Sequence, residues 1–200
     1  FREVMDTKKI LLINLSKGRL GERNANLLGL IIVGKLFMAA LSRADNPRKE
    51  YPPFYLYIDE FQNITTDSIP GILSEARKYK LALTMAHQFL NQVEEKTRSA
   101  VFGNVGNMAV FRTGEEDAEF FAKQFSPVFE ALDFVNIENR NAYVKILASG
   151  VPQKPFDMKT PDVPAAHPAQ IDDLIHLSSR TYGRDRATVE NMIRERYLSK

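Results

Sequence analysis

Short apolar runs alternate along this chain with stretches whose apolar residues recur every three to four positions. That alternation predicts strand–helix units feeding a mainly parallel sheet flanked by helices, the α/β class. Five runs have the length and bulk of strands: residues 10–14 (ILLIN), Phe54–Ile58 (FYLYI), Leu81–Met85 (LALTM), 108–112 (MAVFR) and 142–147 (AYVKIL). The first three are continuous apolar runs, which predicts burial on both faces. Between them, residues 20–42 read as the longest helix, with Leu27, Leu28, Ile31, Ile32 and Leu36 on its apolar stripe. Residues 69–79 place Ile69, Ile72, Leu73, Ala76 and Tyr79 on one helical face, and Glu115–Phe125 follows a Thr113-x-x-Glu116 sequence of the capping-box type.

Past residue 150 the pattern changes. Pro152, Pro155, Pro161, Pro164 and Pro168 crowd a segment poor in large apolar residues. Regular structure is therefore expected to stop near Val151, with an extended linker over 151–168 between a main domain, 1–150, and a helical tail, 169–200. In the tail Ile171, Leu174, Ile175, Ser178 and Tyr182 share one face, and after the break at Gly183 so do Val189, Met192, Ile193 and Tyr197.

Composition narrows the chemistry. With 200 residues, 44% hydrophobic and 26% charged, the chain has the balance of a folded globular domain and the length to bury a sizeable core. It has no cysteine, which excludes disulfides, thiolate metal sites and a thiol nucleophile, and its histidines, His87, His167 and His176, are too few to favour a histidine-built metal centre. The 27 basic and 25 acidic residues nearly cancel, so no global charge draws it to nucleic acid. Their placement is uneven: residues 1–50 hold ten basic and five acidic side chains, 114–138 one and seven, and 180–200 six and three. The most apolar stretch, residues 27–41, is interrupted by Gly34 and Lys35 and falls short of the ~20 residues that span a bilayer, so no transmembrane helix is expected. The opening FREVMDTKKI has neither an initiator Met nor the order of a signal peptide, the expectation for a chain that starts inside a longer protein.

The most informative stretch is PFYLYIDEFQN, an apolar strand ending in Asp59 and Glu60. Ligands of open α/β sheets bind beyond the carboxyl ends of the strands. A carboxylate pair there either caps the next helix or does the work of nucleotide hydrolysis, one holding Mg²⁺ and its neighbour polarising the attacking water. The next strand ends in His87 and Gln88; an amide there can donate to a phosphate and accept from a water at once. The plainer role for His87 is a satisfied neighbour in a tight turn. Arg77, in EARKY, either complements a helix dipole or acts as an arginine finger on a neighbouring subunit's nucleotide. Arg112, at the end of a further strand, either pairs with Glu115 and Glu116 or acts as a second trans-acting arginine. Asn14, Ser16 and Lys17 either line the site or make a turn.

Taken in order, YLYIDEFQN, SEARKYKLALTMAHQ and GNMAVFRTGEEDAEFFAKQF resemble the C-terminal half of the motor domain in hexameric P-loop ATPases of the HerA/FtsK superfamily. The likeness is closest to TraG/TraD-type and related ATPases of conjugation and type IV secretion. It covers roughly residues 10–150 and implies a partial RecA-like P-loop ATPase core. By this resemblance Asp59 and Glu60 match the Walker B pair, Arg77 the arginine finger and Gln88 the sensor glutamine, with Ala76 standing where many relatives carry Gly. It further implies ATP and Mg²⁺ as cofactors, with Asp59 on the metal and Asp59, Gln88 and Arg112 facing the nucleotide. Its implied partners are copies of the chain in a hexamer, DNA or a secreted protein as cargo, and other secretion-system components. The implied location is the cytoplasm, at the inner face of a membrane through regions outside these residues. The family's phosphate loop, G-x-x-x-x-G-K-[ST], is missing. The near match from Gly29 to Lys35 is followed by Leu36 instead of a hydroxyl and carries four apolar residues, so it reads as core helix. The residues alone leave open a rival of another class, a non-catalytic ATPase-like module that docks partners through the acidic helix Glu115–Phe125 and the basic tail.

Overall fold

The computed structural model describes residues 1–46, 50–64, 71–72, 75–165 and 168–198, and they fall into two units, Phe1–Thr160 and Pro161–Lys200. In the first, α1 (Arg2–Asp6) and α2 (Lys17–Leu20) precede α3 (Glu22–Leu41), and β1 (Phe54–Ile58) and β2 (Leu81–Met85) follow. β1 and β2 run parallel, in register from Phe54 opposite Leu81 to Ile58 opposite Met85. Next come α4 (Glu95–Asn104), β3 (Met108–Val110), α5 (Glu115–Phe125), α6 (Ala131–Val135) and β4 (Asn141–Lys145). Then β5 (Leu147–Ala148), β6 (Val151–Pro152) and β7 (Phe156–Lys159) close the unit. Strands β3, β4 and β7 form a three-stranded antiparallel sheet in that order, and β5 pairs with β6.

Several expectations change here. Among the described residues the parallel arrangement holds only for β1 and β2; every other pairing is antiparallel. Residues 10–14 belong to no strand in the structure, and Ile10 and Leu12 are almost fully exposed. β1 and β2 are buried on one face only: Leu56 and Ile58 turn inward, while Tyr55, Tyr57, Ala82 and Thr84 are exposed. Val151–Pro152 and Phe156–Lys159, placed in the linker by the sequence reading, are strands. A two-residue hairpin at Ser149 and Gly150, both with positive φ, turns the chain from β5 into β6, and Pro152 sits on that short edge strand where its missing N–H costs little.

The long helix begins at Glu22, because Gly21 adopts φ +77° and breaks it from α2. Its buried stripe is Ala25, Gly29, Val33, Leu36 and Ala40, while Leu27, Leu28 and Ile31 face outward, a shift from the stripe read off the sequence. Small residues decide this. A Cβ on Gly29 would lie 2.3 Å from Ile64 Cγ2 and 3.2 Å from Leu15 Cδ1, so the helix meets its neighbours there at closest approach. The segment from Gly29 to Leu36 is thus mid-helix, not a phosphate loop. From Glu22 to Asp45 the helical stretch spans 24 residues and contains an 18-residue window of mean hydropathy 1.8, long and apolar enough by length and composition to cross a membrane, which corrects the shorter estimate from residues 27–41. Core helices pass the same test, and this one packs its stripe into a core with Ile58, Phe61 and Leu81.

The predicted helix over 69–79 lies partly outside the described residues; its end, Ala76–Tyr79, is a single 3-10 turn. That turn is fastened by an ion pair the sequence reading missed. Arg43, 2% exposed, donates through Nε to Asp6 at 3.1 Å and through Nη1 to the Tyr79 carbonyl at 2.6 Å. Arg2 also donates to Asp6, at 2.7 Å, and the Tyr51 ring faces both guanidinium groups. Removing one partner of such a pair strands the other in a desolvated site. Arg43→Ala is therefore expected to destabilise the chain by about 3 kcal/mol, and urea unfolding at neutral pH measures it; a midpoint equal to that of the unaltered chain would deny the pair this role.

A second core gathers Leu90, Val110, Ala118, Phe121, Phe125, Phe134 and Ile137. The capping box expected at Thr113 and Glu116 does not form; Gly114 occupies the cap of α5, and the capping box of this region joins Glu130 and Asp133 at α6. The second unit holds α7 (Pro168–Tyr182) and α8 (Arg186–Leu198), with Asp185 accepting the Thr188 N–H at 2.9 Å to start the latter.

Candidate active site

Beyond the carboxyl ends of β1 and β2 the chain brings together the acid pair and the strand-end amide. β1 stops at Ile58, which is buried; Asp59 is exposed and Glu60 half-buried. Glu60 takes a left-handed backbone conformation, φ +50°, unusual for a residue with a side chain. That kink is supported locally: the Glu60 N–H donates to Asp59 Oδ1 at 2.9 Å, and the Glu60 carbonyl accepts from the Asn63 N–H at 3.0 Å and from Asn63 Nδ2 at 3.2 Å. Among the described residues the element that follows the two carboxylates is a 3-10 turn, Phe61–Ile64, with Phe61 buried.

Gln88 reaches this kink. Its Nε2 donates to Glu60 Oε1 at 2.6 Å, and Gln62 Nε2 donates to Glu60 Oε2 at 2.8 Å, so each carboxylate oxygen receives one amide. Gln62 stood in the sequence motif without a role; the left-handed turn at Glu60 is what brings a side chain two positions on back to the carboxylate, and periodicity does not show such a turn. Lys17 Nζ lies 3.2 Å from Asn63 Oδ1 and 3.0 Å from Glu22 Oε1, tying the segment after residue 14 to the same end of the strands.

Asn14, Ser16, Lys17, Asp59, Glu60 and Asn63 border one open cavity of about 1160 Å³, whose remaining wall is formed by residues 8–13, one side of α3 and β1. This is larger than the roughly 300–1,000 Å³ of common small-molecule pockets. A carboxylate with one oxygen engaged by a backbone N–H and its side chain in open space suits a hydrated Mg²⁺, which is usually held by one or two carboxylates with phosphates and waters. Among the described residues no three acidic or histidine side chains converge into a metal cage.

His87 is half-buried, edge-on to Phe61 at 5.1 Å between ring centres. Burial pushes its pKa below the ordinary value, against the pull of Asp117 and Glu60. It is a packed neighbour of the site. The loop that carries Gln88 is pinned at Leu90, whose side chain enters the second core and whose N–H donates to the buried Asp117 at 3.2 Å.

Two arginines stand apart. Arg77 is exposed in the turn that precedes β2, whereas Gln88 follows that strand; five residues at ~3.3 Å each put them ~16 Å apart along it, at opposite ends. Within one chain Arg77 does not join Glu60. Arg112 donates to Asn139 Oδ1 at 3.0 Å and makes no ion pair with Glu115 or Glu116, correcting that expectation.

Residues 53–129 match the family model described as the TraM recognition site of TraD and TraG, inside the range over which the sequence resemblance runs. Two solved structures share the fold. One is the bacterial conjugative coupling protein TrwBdeltaN70 in an unbound monoclinic form, 14% identical with a TM-score of 0.55. The other is the plasmid coupling protein TrwB in complex with the non-hydrolysable GTP analogue GDPNP, 15% identical with a TM-score of 0.53. Each match covers 70% of this chain and 39% of the other, so this chain spans well under half of the coupling-protein structures it matches. No curated protein matches the chain.

Proposed function

We propose that this chain, which carries a TraG/TraD-type segment over residues 53–129, is part of an ATP-driven translocase of conjugation or type IV secretion. The observation that carries the reading is the Glu60 kink, where two strand-end acids and a strand-end amide converge beside an open cavity. Glu60 takes the proton of the attacking water and Gln88 senses the terminal phosphate. Asp59 would hold Mg²⁺, which when bound would supply positive charge against the phosphate oxygens. The phosphate loop comes from a part of the polypeptide outside these residues. Arg77, on the far side of β2 from its own Glu60, acts on the nucleotide of a neighbouring copy, in a hexamer. The motor works in the cytoplasm at the inner face of a membrane and moves DNA or a secreted protein.

A partner-docking role for the same segment is favoured by its match to a TraM recognition site and by α5, whose first turn carries Glu115, Glu116 and Asp117. Docking and catalysis here are compatible, because α5 and the Gln88 loop are joined through Asp117 and Leu90.

Nucleotide binding separates the motor from a purely docking module. Titrating labelled ATP with Mg²⁺ into the 200-residue chain is expected to show binding weaker than micromolar, and the full-length polypeptide to bind tightly. Micromolar binding by the 200 residues would return the phosphate cradle to the segment from Gly29 to Leu36, and no binding by the full-length polypeptide would leave the docking module alone standing.

A further inference from the structure

The two amides on Glu60 are not equivalent. Gln62 is half-buried and sits in the short turn Phe61–Ile64, whose first side chain is 2% exposed in the core and whose backbone closes on the Glu60 carbonyl. Gln88 is exposed and approaches from the other strand. A glutamine that reads a phosphate gives its amide a second partner besides the carboxylate it now touches, and its hold on that carboxylate becomes exchangeable. If Gln88 were the only holder, Glu60 would be released at the moment it is needed. Gln62 removes that difficulty, because it grips the other oxygen from a turn anchored in the core by Phe61.

We infer that Gln62 is a positioning residue that holds Glu60 Oε2 throughout the cycle, while Gln88 is an exchangeable cover on Oε1. When Gln88 turns to the nucleotide, Oε1 is uncovered and Oε2 stays fixed. The uncovered oxygen then accepts the proton of the water, as the water oxygen bonds to phosphorus and the bond to the leaving phosphate oxygen breaks. This inference rests on the reading that Glu60 acts on the attacking water. It assigns opposite fates to two glutamines that hydrogen-bond the same group, and so it can fail independently of that reading. The Gln88 amide takes one of the two lone pairs of Oε1 at 2.6 Å, and its departure leaves that oxygen fully open to the water.

The test has two arms. In the 200-residue chain, nuclear magnetic resonance of the side-chain amides should show the Gln62 signals unmoved by Gln88→Ala and displaced by Glu60→Gln. In the full-length polypeptide, Gln62→Met keeps the length of the side chain and removes the donor. Its kcat should fall roughly tenfold or more, the cost of a misplaced reacting group, with KM for ATP within twofold and the thermal midpoint unchanged. Gln88→Met should raise KM as well, since Gln88 meets the nucleotide and Gln62 does not. A Gln62→Met kcat within twofold of the unaltered protein, or Gln62 amide signals that ignore Glu60→Gln, overturns the inference. If Gln62→Met lowers the thermal midpoint along with kcat, the residue only supports the turn, and the inference is again overturned. Should Glu60→Gln itself leave turnover intact, the base reading falls, and the amide signals alone decide whether Gln62 holds the carboxylate.

Discussion

Arg77→Lys in the full-length polypeptide is expected to lower ATP turnover by about 10³-fold or more while fold and nucleotide binding persist, because a finger's planar, bidentate guanidinium has no equivalent in an ammonium group. The structure explains why the fold should tolerate the change. Arg77 is exposed, and its turn is held from beneath through the Tyr79 carbonyl by Arg43 rather than by the Arg77 side chain. Arg77 stands at the start of β2 and Gln88 beyond its end, so on the proposed reading the effect belongs to an assembly. Mixing decides the matter. Glu60→Gln subunits keep Arg77 and Arg77→Ala subunits keep Glu60, so a mixed ring contains some interfaces with both groups intact and should recover activity that neither parent shows. If verified co-assembly recovers nothing, Arg77 acts within its own subunit or only supports its turn.

The elements that define the site were legible because they obey one local rule each. FYLYI and LALTM are continuous apolar runs ended by polar pairs, and both appear as strands with the bounds read from the sequence, which places Asp59, Glu60 and Gln88 at one end of the sheet without further information. What was not legible depends on partners distant in sequence. ILLIN has the composition of a strand, yet a strand exists only through its ladder, and β1 pairs with β2 on one side while residues 10–14 join no ladder among the described residues. The stripe of α3 was misjudged because bulk was taken as the mark of burial; the buried positions include Ala25, Gly29 and Ala40, where small side chains permit close approach. The antiparallel return of β7 onto β4 hid behind prolines that read as linker but flank the strand instead of interrupting it. Asp6 and Arg43, 37 positions apart, follow no periodic rule at all, and neither does the backward reach of Gln62.

Glu60→Gln is the second large change, and its expected signature is ATP that binds but does not turn over. The amide keeps the shape of the side chain and removes its capacity to take a proton, so turnover should fall by ~10²-fold or more, the usual contribution of a positioned general base. Binding should persist because the carboxylate touches water in the reaction, not the nucleotide. The surroundings of Glu60 sharpen this expectation. Both its oxygens accept from amide nitrogens, and a glutamine in its place presents one oxygen and one nitrogen, so one of the two glutamines would meet donor against donor. Loss of the Gln88 contact would leave Gln88 free to engage the phosphate, and ATP affinity in the variant should then equal or exceed that of the unaltered protein. Equilibrium binding of ATP and steady-state turnover, measured on the same preparation, check both halves. Turnover within twofold of the unaltered protein would reassign Glu60 to shaping the turn after β1, whereas lost turnover with weakened ATP binding would place its carboxylate on the nucleotide side of the site instead of on the water.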